Sequence, residues 1–364
     1  MVIGIAALVA GGAVASVLIQ RAADDDPERA PKASASAPVK RELGRMSLKE
    51  KADEVVLAGI DAGSAPNPKF APGGLFVGPD DWAAGGAGLV RGLRRRSSGR
   101  PPLIVGRQEG GIYRSYPELP PPLTQLETGD GRDPAAAEVA AGQGAAAMRQ
   151  AGFDLNLAPV ADVAGLASPI ADRAYGDDPD LVAAMVAAAV RGCRGARLAC
   201  AVAHFPGLGG ASADTLEGPA TVGLDAASLD ERDLVPFRAA IEAKAPAVVL
   251  SLAFYAAYDP VTPGALSPSI ATELLRENVG FEGLAISDDL TSGAVAAGLG
   301  APEAAVQAIA AGTDLVLVDD APQAIAARDA ILAAAKSGGL TESRLDEAAG
   351  RVLELKGERG RVGG

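Results

Sequence analysis

Four carboxylates stand just behind short apolar runs, where a chain leaves a buried strand. Glu109 lies in Arg107-Gln108-Glu109-Gly110-Gly111 after the run 103–106, and Asp162 closes Pro159-Val160-Ala161-Asp162 after 155–158. Asp214 follows the run 200–204 by way of Phe205-Pro206-Gly207-Leu208-Gly209, and Asp288 sits in Ser287-Asp288-Asp289-Leu290 after 284–287. Arg173 and His204 fall among them. Carboxylates accept hydrogen bonds from several hydroxyls at once, so such a set suits a polyhydroxylated ligand. One carboxylate can attack an anomeric carbon while a second group protonates the leaving oxygen.

Each residue also has a plainer role open to it. Glu109 is placed to bond backbone amides in a Gly-Gly turn, and Asp162 to order a loop. Arg173 has Asp172 and Asp177 beside it as surface partners of little energetic weight. His204 suits a satisfied core position, and Asp288-Asp289 a helix N-cap.

These residues need elements to hold them. Eight continuous apolar runs, at 55–60, 74–77, 103–106, 155–158, 200–204, 247–252, 284–287 and 315–318, read as parallel strands buried on both faces. Helical stretches alternate with them. Asp177-Asp178-Pro179 opens 181–191, Asp230-Glu231 opens 234–243, and Ser267-Pro268 opens 269–277. Pro302-Glu303 opens 304–311, which Gly312 ends, and Thr341 caps a last helix to about 355 with Arg344 and Asp346 exposed. Eight strands alternating with helices predict a single-domain (β/α)8 TIM-type barrel, with function at the strand ends. A doubly wound sheet is the runner-up, but Gly207-Leu208-Gly209 lacks the third glycine of its fingerprint.

Composition narrows the chemistry. The 364 residues carry 33 Lys+Arg against 46 Asp+Glu, a formal net charge of −13, which argues against a nucleic-acid partner. One His and two Cys are too few for most zinc or iron–sulfur sites. Cys193 and Cys200 have two readings, a disulfide outside the cytoplasm or two small buried hydrophobes.

Taken together, the motifs resemble a known family. Ile286-Ser287-Asp288-Asp289-Leu290, Ala203-His204-Phe205-Pro206-Gly207-Leu208-Gly209, the octapeptide at 156–163 and Arg173-Ala174-Tyr175-Gly176-Asp177-Asp178-Pro179 resemble glycoside hydrolase family 3. The stretches 233–241 and 262–268 extend the likeness, which runs in uninterrupted order over about 44–357 and is nearest to the single-domain β-N-acetylhexosaminidases. The resemblance implies a retaining mechanism with Asp288 as nucleophile, sugar binding by Arg173 and His204, and no metal or organic cofactor. It also assigns Asp214 to an Asp-x-His pair whose His is the general acid and base, and it brings Glu109, Asp162 and Arg107 to the substrate site.

Three positions depart from the family pattern. Arg107 replaces an Asp expected to meet a sugar hydroxyl, Ala203 replaces a Lys, and Leu216 replaces the acid/base His. Leu cannot transfer a proton, and Glu217 or a protonated Asp214 are the substitutes at hand. Two functions follow as expectations: an active glycosidase of altered or impaired chemistry, or a catalytically silent barrel binding a glycan or partner at the cell envelope. A purely structural tethered domain is a third, with no residue to support it.

The N-terminus sets location. Residues 2–19 form an unbroken apolar and small-residue run, just long enough at about 1.5 Å per residue to span about 30 Å of hydrocarbon. Residues 1–21 therefore read as a signal peptide or membrane anchor, although no Lys or Arg precedes them. Residues 22–41 read as an Ala/Pro/Asp-rich linker, and 42–364 as the barrel, with the folded part outside the cytoplasm.

Overall fold

A computed structural model describes residues 35–60, 70–96, 100–296 and 298–358. The apolar run at 1–21 lies outside the described residues, as does most of the 22–41 stretch. The end of that stretch is not linker: Ala37–Leu43 is helical, and Val39 is buried with Met46 and Leu353. Pro at the first turn fits the helix start, and apolar Val39 gives the helix a face to bury.

Among the described residues ten strands form in chain order: β1 Val56–Gly59, β2 Gly74–Phe76, β3 Leu103–Gly106, β4 Leu155–Asn156 and β5 Ala199–Phe205, then β6 Thr221–Val222, β7 Ala247–Leu250, β8 Phe254–Tyr255, β9 Leu284–Ser287 and β10 Val316–Val318. Eight of them make one parallel sheet in the order β10-β1-β2-β3-β4-β5-β7-β9. A parallel bridge between Ile286 and Leu315 joins the two ends, so the sheet closes into a (β/α)8 barrel. Every run expected to be a barrel strand contributes one. The β6–β8 ribbon was not expected and lies outside the barrel.

Strand alternation divides the core in two. Leu57, Leu103, Val105, Ala199, Ala201, Ala203, Val249, Leu284, Ile286, Leu315 and Leu317 pack with one another inside the barrel. Their neighbours Val56, Ala58, Val202, Val248, Leu250, Ala285, Val316 and Val318 pack outward with the helices. Both faces are buried, which is why the runs are continuous in sequence.

β4 keeps only two of its four expected residues, because Pro159 brings no N–H and the Asn156 side chain takes over the ladder. Asn156 Oδ1 accepts from Gln108 N at 2.8 Å, and Nδ2 donates to Gln108 O at 3.0 Å. The helices start where their caps predict: Asp178 caps Pro179–Gly195, and Gly312, at φ 123°, ends Ala301–Ala311. Cys193 and Cys200 are joined in a disulfide between that first helix and β5.

The last helix, Glu342–Glu358, corrects one expectation. Arg344 and Asp346 are partly buried, because both serve ion pairs. Asp346 meets Lys51 at 2.6 Å, and Arg344 meets Asp314 at 2.8 Å. Fully buried Asp314 also accepts from Arg276 at 2.7 Å, Arg351 at 2.9 Å and Ala285 N at 3.0 Å. Burial would raise its pKa, but the three guanidiniums outweigh it and hold the carboxyl below its ordinary value. Asp314→Ala strands three cations and is expected to cost roughly 3–5 kcal/mol. Urea unfolding midpoints of the two proteins measure this, and an unchanged midpoint would refute it.

Candidate active site

The inward alternation of three strands ends in charge. Leu103, Val105 and Arg107 succeed one another on β3, Leu284, Ile286 and Asp288 on β9, and Leu315, Leu317 and Asp319 on β10. Two-residue periodicity thus carries Arg107, Asp288 and Asp319 to the mouth of the barrel, above its apolar interior.

His204 arrives there differently. The β5–β7 register shifts between Val202 and Phe205, and such an irregularity re-aims a side chain. His204 Nδ1 lies 2.8 Å from Asp162 Oδ2, while Asp162 Oδ1 accepts from His204 N at 3.2 Å and Leu208 N at 2.7 Å. On the other side, Arg173 Nη2 lies 3.3 Å from His204 Nε2. Asp162 can only accept and Arg173 can only donate. Hydrogen bonding therefore places the proton on Nδ1 and the lone pair on Nε2.

Arg173 grips Glu109 with two bonds, Nε to Oε2 at 2.9 Å and Nη2 to Oε1 at 2.7 Å. Its Nη1 lies 3.8 Å from Asp214 Oδ2. The local partners Asp172 and Asp177 are not the ones it takes. Glu109 is buried, which would raise its pKa, but Arg173 foremost, with Arg107, brings it below the ordinary value. Arg173 shifts upward, its own burial outweighed by Glu109, Asp214 and Asp288.

Asp288 is the central carboxylate. Oδ1 accepts from Arg107 Nη2 at 2.8 Å and from Asp289 N at 3.0 Å, and Oδ2 lies 3.9 Å from His204 Nε2. Burial would keep this carboxyl protonated. The charges of Arg107 and Arg173, with the Asp289 N–H, win, and its pKa falls below the ordinary value. Asp289 takes the turn-capping role instead, accepting from Thr291 N and Asp319 N and from the Thr291 hydroxyl.

The structure therefore brings Arg107, Glu109, Asp162, Arg173, His204, Asp214 and Asp288 into one connected cluster. Within it, Asp162 and Glu109 are the carboxylates most engaged by protein partners. Asp162 has no exposed surface and spends both oxygens on His204 and Leu208, and Glu109 spends both on Arg173. They position His204 and Arg173.

Leu216 is exposed on the loop after β5, and its backbone ties that loop to the one after β9. Gly293 N donates to Leu216 O at 3.3 Å, and a Cβ on Gly293 would come within 2.4 Å of Glu217 O. Asp214 Oδ1 accepts from Leu216 N at 3.0 Å. Position 216 thus lies beside the loop that carries Asp288, with no imidazole to offer.

Two acids escaped the sequence reading. Asp319 follows the eighth run directly, so reading every strand end would have found it. It stands at the open rim, where desolvation by the surrounding protein and the charges of Asp289 and Asp81 push it up to about 6 against the pull of Arg107. Asp233 is wholly buried, with neither oxygen hydrogen-bonded. Burial, opposed by Arg232 and helped by Asp162, pushes it up to about 7. A Cβ on Gly207, in the turn after His204, would lie 2.6 Å from Asp233 Cβ.

A barrel with paired carboxylates and cations at the C-terminal ends of its strands defines a glycosidase-type site. Residues 85–355 match the profile of the glycosyl hydrolase family 3 N-terminal domain. The chain belongs to that family. A β-hexosaminidase of Stenotrophomonas maltophilia is 35% identical over 294 residues, covering 71% of this chain and 86% of the relative. A family 3 β-N-acetylglucosaminidase from a Paenibacillus species superposes with a TM-score of 0.81 at 33% identity, over 88% of this chain and 64% of that one. A β-N-acetylhexosaminidase from Beutenbergia cavernae gives 0.76 at 31% identity, over 86% and 99%.

The Glu109–Arg173 pair is open to a direct stability measurement. Glu109→Ala leaves a buried guanidinium without its bidentate partner and is expected to cost roughly 3–5 kcal/mol near neutral pH. Because the Glu109 pKa is lowered in the fold, that contribution is present above its unfolded pKa and fades as pH falls through its folded one. Denaturation midpoints of both proteins across pH should converge at the acid end; a constant difference would contradict the pairing.

Proposed function

We propose that the protein is a retaining glycosidase of the β-N-acetylhexosaminidase type, with Asp288 as nucleophile. The observation that carries this reading is the state of Asp288: buried at the barrel mouth, held ionised by Arg107 and Arg173, and flanked by an imidazole fixed from behind by Asp162. The names of the relatives support the amino-sugar substrate.

In this mechanism the Asp288 carboxylate attacks the anomeric carbon and the aglycone oxygen leaves with the bonding electrons. Water then hydrolyses the glycosyl ester. Arg173 and His204 hold the sugar. General acid assistance contributes about 10²–10⁴ in rate, and Leu216 provides none. The enzyme therefore works best on glycosides whose leaving group departs without a proton. A second reading, a binding barrel without turnover, draws on the same Leu216 and on the Arg107 cap over the nucleophile. We also place the folded part outside the cytoplasm, behind a signal or anchor at 1–21; the apolar run and the Cys193–Cys200 disulfide support this.

Asp288→Ala is expected to abolish hydrolysis of an activated aryl β-N-acetylglucosaminide while the thermal melt stays cooperative. Turnover at the parent rate would reject the nucleophile. Leu216→His should raise the rate on alkyl glycosides by at least about tenfold more than on nitrophenyl glycosides. An equal effect on both would reject the missing-acid explanation. The nucleophile acts ionised, so its depressed pKa extends activity to acid pH. The acid limb of the kcat/KM profile should lie below the ordinary carboxylate value, and a limb above it would contradict the pairing with Arg107.

A further inference from the structure

Arg107 leaves most of its hydrogen-bonding capacity unspent. Nη2 donates to Asp288 Oδ1 at 2.8 Å, and its guanidinium makes no other hydrogen bond to a described residue. Arg173, by contrast, is engaged by Glu109, His204 and Asp214. Of the Arg107–Asp288 pair, the guanidinium is the more exposed, at 17% against 3% for the carboxylate.

β3 and β9 are four strands apart in a ring of eight, so they face each other across the barrel. The Arg107 side chain therefore crosses the floor of the mouth to reach the carboxylate opposite. Ala199, Ala201 and Ala203 on the inner face of β5 take up little of the space it crosses.

Any sugar that brings its anomeric carbon to Asp288 comes up against Arg107, which holds Oδ1 and leaves Oδ2 to attack. In the glycosylation step an Asp288 oxygen lone pair forms the bond to carbon, and the bond from carbon to the aglycone oxygen breaks. Its electron pair departs on that oxygen, so negative charge passes from Asp288 to the leaving group. Arg107 then faces a neutral ester. A neutral sugar gives the partly desolvated guanidinium only hydroxyls in exchange, whereas a carboxylate matches its fork with two charge-assisted bonds.

We propose that Arg107 is a specificity-determining residue that selects glycosides whose donor sugar carries a carboxylate. Two chemistries supply one: a uronoside, and an amino sugar bearing a carboxyalkyl ether. The inference rests on the reading of Asp288 as nucleophile and deepens it. The carboxylate of the substrate takes the Arg107 donors that Asp288 leaves unused, so it binds beside the nucleophile. Asp319 on the rim, with its pKa pushed up to about 6, is partly neutral in mildly acid solution and opposes an acidic ligand less there.

The test uses the full-length protein with Arg107→Gln, and with Arg107→Lys, which keeps the charge without the fork. One arm compares kcat/KM for 4-nitrophenyl β-D-glucuronide and β-D-glucoside, which differ at C6 alone. The other compares calorimetric binding of N-acetylmuramic acid and N-acetylglucosamine, which differ by the carboxylate-bearing lactyl ether on O3. In at least one arm the acidic member is expected to be favoured about 10–100-fold. Arg107→Gln should abolish the preference and Arg107→Lys keep part of it, and the arm that responds identifies the source of the carboxylate.

A preference for the neutral member in both arms overturns the proposal, as does an Arg107→Gln effect of equal size on both members. Turnover of neutral glycosides with that pattern leaves the glycosidase standing and removes only the role of Arg107. Binding that depends on both carboxylate and Arg107, with no turnover of any glycoside, upholds the selectivity and rejects the hydrolase. Neither binding nor turnover of an acidic ligand also overturns the proposal.

Discussion

A closed parallel barrel buries both faces of every strand, so charge is admitted only beyond the last rungs of the ladder. The arrangement of the site follows from this constraint. Charges at the mouth sit over an apolar interior, lose much of their water, and are tolerable only in pairs. The protein meets that condition with three pairs: Asp162 with His204, Glu109 with Arg173, and Asp288 with Arg107. Each joins different strand ends, so the same contacts that compensate the charges also fix the positions of the reactive groups.

The barrel was legible in the sequence because burial on two faces writes each strand as an unbroken apolar run. The helices at 181–191 and 304–311 were legible through Asp178 and Gly312, which act locally. The departures are equally physical. β4 is short because Asn156 uses its side chain where a longer strand would use backbone. The helix at Ala37–Leu43 was hidden by the Pro/Ala/Ser composition it shares with the stretch before it. Arg344 looked like a surface residue because its partner, Asp314, lies 30 residues away.

The strand-end rule brings four carboxylates toward one mouth, but it does not say which protein partner each one takes. Glu109 and Asp162 read as ligand-facing, and each also bonds a cation or imidazole of the site. Nothing near Glu109 in the chain announces Arg173, which is 64 residues on, and nothing near Arg107 announces Asp288, which is 181 residues on. Pairing across the barrel is a property of closure, which no local pattern contains. Asp319 is a simpler case: it follows the eighth run directly, so its place at the mouth is legible from the strand-end rule alone.

The three departures from the family pattern acquire a common logic once the pairs are seen. A Lys expected at 203 is absent, and a cation stands at 107, on another inward-facing strand of the same mouth. A positive charge thus stands beside Asp288 two strands away from position 203, in the place of an expected acid. A cation there both depresses the pKa of Asp288 and reduces its nucleophilicity. Loss of the imidazole at 216 acts in the same direction, since it withdraws help from poor leaving groups. On the proposed reading both changes narrow the set of substrates that react, one by the charge of the sugar and the other by the basicity of the aglycone. Neither touches the apolar interior or the Asp162–His204 support beneath the mouth, so the narrowing lies in the groups that meet a ligand and not in the fold that presents them.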